Sequence, residues 1–109
     1  MIVTTTLSID GHTISEYKGV VRGIIVRAPT ISQGLRGSIM SVLGGNIKAY
    51  TEMCEQARQH AYDLMLEHAR DVGANAIVGM RYDASEVVSK CSATEVLCYG
   101  TAVVVRAIQ

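Results

Sequence analysis

The sequence predicts an α+β subunit of element order β-β-α-β-β, an antiparallel sheet covered on one face by one long helix. Three observations predict it. Runs rich in β-branched and aliphatic residues lie towards both ends, at Met1–Leu7, His12–Arg27, Ala76–Asp83 and Val96–Ile108. One long amphipathic stretch, Asn46–Val72, separates them and is bounded by residues suited to helix ends. The apolar complement is aliphatic: 49% of 109 residues are hydrophobic, yet there are five Tyr and neither Trp nor Phe. That length fits one domain, 1–109, with more aliphatic surface than one helix over one sheet consumes. A subunit interface is the usual destination of such an excess.

Each element has a local reason. Met1–Leu7 reads as a first strand, and Asp10-Gly11 as a turn into a second, His12–Arg27, so that the two are expected to form a hairpin. Gly19 and Gly23 inside the second strand predict a bulge or a close backbone approach. Pro29 ends it. Residues 30–43 carry Ile31, Leu35, Ile39 and Leu43 at helical spacing, weakened by Gly34 and Gly37, and predict a short irregular helix. Asn46 is suited to cap the long helix and Gly73 to end it. Between them Ala57, Ala61, Leu64, Met65, Ala69 and Val72 form an apolar stripe that Tyr50 and Cys54 extend backwards. Ala76–Asp83 and Val96–Ile108 complete the strands, and the residues between them read as a loop or an irregular hairpin arm.

Several classes are excluded. Ten Lys and Arg balance ten Asp and Glu, which argues against a chain-wide basic surface for nucleic acid. No apolar run approaches the ~18 residues of a membrane span. No secretory signal pattern opens the sequence. Three cysteines without paired spacing fit a reducing cytoplasm better than a disulfide framework. No motif of a catalytic triad, zinc protease, dinucleotide fold or phosphate loop occurs, so enzyme activity is not expected.

Two groups could hold a metal. Cys54 and Cys98 are candidate soft-ion ligands if the helix lies on the last strand, although free cysteine more often serves as a small core residue. Cys54, on the apolar stripe, is expected to be internal. Cys91 falls in the predicted loop and is expected to be exposed. His60, Asp63 and Glu67 share one helix face, where an imidazole and two carboxylates suit a borderline divalent ion; a solvated face is the commoner role. Charge is also unevenly placed. Residues 17–51 hold Lys18, Arg22, Arg27, Arg36 and Lys48 with no acid, whereas 52–109 hold eight acids against five cations. The basic segment serves either an anion, beside Gly44-Gly45-Asn46 at the helix start, or an acidic helix face of a neighbouring subunit.

Five stretches carry a resemblance: MIVTTT at the start, Gly-Gly before the Ala-Tyr of the helix, the Ala- and Arg-bearing helix itself, GANAIVGMRYD, and YGTAV near the end. The chain resembles the YbjQ family, also called UPF0145 or DUF74. It departs from the commonest members over 24–40, whose role there cannot be transferred, and is closer to a branch with Thr51–Glu55 and Glu95–Thr101 as they stand here. The resemblance implies a dodecin-like subunit, a ring-shaped homopentamer and a heavy-metal-binding name. The expected function is a cytoplasmic ring-forming binding or scaffold protein whose partner is itself, with no nucleic acid or membrane. The rivals are an enzyme with its site between subunits and a structural assembly that docks a partner.

Overall fold

A computed structural model describes residues 1–27, 47–88 and 92–109. It contains β1 (Ile2–Val3), β2 (His12–Arg27), α1 (Ile47–Asp71), β3 (Ala76–Val88) and β4 (Ser92–Ala107). The four strands form one sheet in the order β1-β3-β4-β2. The predicted irregular helix over 30–43, the capping Asn46, Arg36 and Cys91 lie outside the described residues.

The order β-β-α-β-β holds, but the expected first hairpin does not. β1 pairs in parallel with β3, through Ile2↔Ala76 and Val3↔Ile77, at the sheet edge opposite β2. The sheet is therefore mixed, not antiparallel. The reason lies in the threonine run, whose hydroxyls compete for nearby backbone. Thr4 Oγ1 accepts from the Thr6 amide at 3.1 Å, and Thr6 Oγ1 donates to the Ser8 carbonyl at 2.6 Å. The strand stops after two residues and the chain hooks along β3, where Gly79 N donates to Thr6 O and Met80 N to Thr4 O. The Asp10-Gly11 turn forms as expected, with Gly11 at φ 76°. It feeds β2 onto β4 instead.

β4 is central, antiparallel to β2 and to β3. Its near-continuous apolar run is that of a strand covered on both faces. Val96, Cys98 and Ala102 face α1, while Val103 and Val105 join Ala76, Val78, Ile9 and Ile14 on the other face. Of the two alternatives for the residues after Asp83, the hairpin arm forms and the loop does not: β3 runs to Val88, and Ala84↔Val96 through Val88↔Ser92 prolong the hairpin.

α1 ends as expected at Gly73, whose φ of 83° is a left-handed conformation that side chains resist. Ala57, Ala61, Met65 and Ala69 are buried at a four-residue interval. Their small size, together with Gly23, lets the helix rest on β2. A β-carbon on Gly23 would collide with the Ala61 carbonyl oxygen and stand 2.6 Å from Met65 N. The stripe does not extend back to Cys54, which is exposed, as are all of residues 51–56.

The strands outrun the helix. Sixteen residues of β4 span about 53 Å, against about 37 Å for the 25 residues of α1. The Cα radius of gyration is 17.8 Å, whereas a compact chain of this length has about 13 Å. On β2, Val21 and Gly23 are buried towards the helix, while the alternate residues Val20, Ile24 and Val26 are 69%, 49% and 60% exposed.

Candidate functional site

The most distinctive chemistry lies on one rung of the sheet. Gly23 of β2, Cys98 of β4 and Tyr82 of β3 are consecutive cross-strand partners. Because Gly23 has no side chain, α1 sits close above this rung and brings Met65 onto Cys98. Cys98 Sγ donates to Met65 Sδ at 3.6 Å, and both residues are fully buried. Tyr82, the cross-strand neighbour of Cys98, packs against the same core. Arg58, about two helical turns before Met65, stacks its guanidinium 5.4 Å from the Tyr82 ring centre.

Burial sets the electrostatics. It disfavours the thiolate and pushes the Cys98 thiol from 9.0 up to about 11, a rise that the neighbouring Tyr82 hydroxyl only partly offsets. Burial also raises Tyr82, aided by the charge of an ionised Cys98 and opposed by Arg58. At neutral pH the thiol is therefore protonated and a poor nucleophile. No described side-chain polar atom that is buried lacks a hydrogen-bond partner.

Cys54 does not join Cys98. It lies eleven residues before Met65 on α1, about 16 Å along the axis. An exposed thiol at Cys54 and a buried one at Cys98 cannot share an ion within one protomer. His60, Asp63 and Glu67 are all exposed. Gln59 Nε2 donates to Asp63 Oδ1 at 2.9 Å, and His60 and Glu67 stand about 10 Å apart along the axis. Among the described residues no three His, Cys, Asp or Glu side chains are placed to share an ion.

A second feature was not foreseen. An open hollow of about 350 Å³ lies between α1 and β2, lined by Arg22, Ile24, Leu64, Glu67, His68 and Asp71 among others. His68 Nδ1 accepts from the Arg22 amide at 3.2 Å, so a side chain caps one free donor of the β2 edge. Arg22 and the acidic Glu67 and Asp71 of the same chain line this hollow together. Lys18 pairs with Glu16 at 2.8 Å. Nothing local in the sequence predicted which strand edge Leu64, His68 and Asp71 of α1 meet.

No helix among the described residues is long and apolar enough to cross a membrane. The family model described as "Putative heavy-metal-binding" matches residues 1–106. A UPF0145 protein of Legionella pneumophila strain Philadelphia 1 is 55% identical over 105 residues, covering 96% of this chain and 98% of that one. A UPF0145 protein of Francisella tularensis strain WY96-3418 is 52% identical over 106 residues, covering 97% and 100%. A crystal structure of a DUF74-family protein of unknown function from Pediococcus pentosaceus shares the fold, with a TM-score of 0.66, 21% identity and coverage of 97% and 98%. The fold agrees with the sequence relatives, and the chain belongs to the YbjQ family, UPF0145.

Proposed function

We propose that this protein is a subunit of a closed homo-oligomer, a pentameric ring, that acts in the cytoplasm as a binding scaffold for a heavy metal ion. One observation carries the assembly: among the described residues β2 is a 16-residue edge strand that leaves an apolar strip exposed. Val20, Ile24 and Val26 expose most or half of their surface there. A long, apolar edge is a liability that proteins cover or pair. Closing a ring pairs every such edge without leaving a free end. The metal reading rests on the family description.

Native mass spectrometry of protein purified without added metal tests both parts. A single closed species is expected, and replacing Ile24 and Val26 by Lys should break it into smaller ones. A stable monomer at micromolar concentration would overturn the assembly. Failure of the intact protein to retain any added Ag⁺, Cu⁺, Cd²⁺ or Zn²⁺ would overturn the metal reading.

A further inference from the structure

We propose that the assembled subunits continue one sheet from copy to copy, with β2 of each protomer pairing in parallel with β3 of the next. This rests on the closed-assembly reading above and names the surface that β2 meets.

The free edge groups lie at one end of the sheet. Arg22 sets the phase of β2, since its N–H points off the edge to His68. The ladder with β4 has no shift between Gly19 and Arg27, so Ile24 and Val26 also turn their N–H and C=O away from β4. The Arg22 amide is capped by His68, whereas among the described residues nothing caps those of Ile24 and Val26. On β3, the first strand and the threonine hook occupy the edge only as far as Met80. Gly23 exchanges its peptide bonds with Cys98, so the Cys98 groups are turned away from Tyr82. Tyr82, Ala84 and Glu86 therefore point their own groups off the β3 edge.

Register joins the two edges. Ile24, Leu97 and Asp83 share one rung, and Val26, Glu95 and Ser85 share another. The open stretches 24–27 and 83–86 thus stand level. Both strands are antiparallel to β4, so they run the same way, and rotation about an axis along the strands brings β3 of one copy beside β2 of another as a parallel partner. The outward groups of Ile24 and Val26 then interleave with those of Tyr82, Ala84 and Glu86. A ring of tilted strands needs a stagger at each seam, and an even one keeps this phase and both side-chain faces.

Charge selects β3 over a second β2. From Tyr17 to Arg27, β2 carries Lys18, Arg22 and Arg27 and no acid. Two β2 edges together crowd four arginines along one seam, whereas β3 brings Asp83 and Glu86 to it. Pairing β2 with β2 also stops at a dimer and leaves β3 open, while pairing β2 with β3 is head to tail and closes a ring.

A disulfide ladder tests this in the full chain with Cys54 and Cys91 replaced by Ser. Val26→Cys is combined with Ser85→Cys and, to cover a two-residue stagger, separately with Asp83→Cys. Within one protomer residues 26 and 85 are two strand spacings apart, about 10 Å, which is too far for a disulfide. Oxidation of one of these pairs should give covalent multimers on a denaturing gel, ending at the size of the closed species, and the single-cysteine variants should give none. Val26→Pro and Ala84→Pro each remove an outward amide that the protomer leaves unused, so each should keep the circular dichroism and reduce the assembly to smaller species. A closed species that gives no ladder from either pair, or that both prolines leave intact, overturns the pairing while the assembly reading stands. Efficient dimers from Val26→Cys alone would place β2 against β2 and overturn it equally. A stable monomer at micromolar concentration overturns both.

Discussion

Replacing Cys98 by alanine should change how stability depends on pH more than it changes stability at neutrality. The thiol's ordinary value is 9.0, and burial pushes it to about 11 in the folded chain. Between those values the unfolded chain has lost the proton and the folded chain has kept it. Fewer protons on the unfolded side mean that stability falls as pH rises. The contribution is whole below pH 9 and is lost as pH climbs towards and through 11. The two values give a loss of about 1.4 kcal/mol at pH 10 and about 2.3 kcal/mol at pH 11. Cys98 has no exposed surface, so solvent screening does not reduce this. Alanine itself costs about 1–2 kcal/mol at pH 7, through lost sulfur contacts and a small cavity. The gap between the two proteins should therefore shrink steadily above pH 9 and close between about pH 10 and 11. Urea unfolding followed by far-ultraviolet circular dichroism checks this, at fixed protein concentration and with a phosphine reductant. Two stability curves that stay parallel from pH 8 to 10.5 would refute the burial argument, because they would mean that water reaches the folded thiol.

Two further substitutions probe the packing and the charge pattern. Gly23→Ala places a methyl against the helix backbone and 2.8 Å from Leu64 Cβ, with no side-chain rotation to relieve it, and should cost about 3 kcal/mol or more in urea unfolding. A cost under about 1 kcal/mol would show that α1 is free to lift. Arg27→Glu reverses an exposed charge at the end of β2 and should shift the assembly towards smaller species in light scattering, at low and high salt alike. Each exposed pair is worth only about 0–1 kcal/mol, but the proposed ring would repeat it. An unchanged size distribution removes the charge asymmetry from the account of assembly.

What the sequence disclosed follows the range of the interactions involved. The limits of β2, the Gly73 stop and the buried alanines depend on local pattern, and they stand where pattern places them. The bulge at Gly19 and the close approach at Gly23 were both legible as glycine inside a strand. The partner of β1 was not, since a threonine run that bonds to itself has the same β-branched composition as a hairpin strand. The arm between Asp83 and Val96 was legible only as one of two alternatives: its polar residues suit a loop as well, and pairing with β4 decides for strand. Cys54 shows the limit of an apolar stripe. The stripe names the face of a helix that is suited to burial, but not how far the covering sheet extends.

The sulfur pair needed three distant segments to be in register at once. Cys98 gave its type in the sequence, but nothing local joined it to Met65, 33 residues earlier. The joining residue is Gly23, which contributes no atom to the site. Its bare backbone fixes the height of α1 above the sheet, and that height puts one sulfur onto the other.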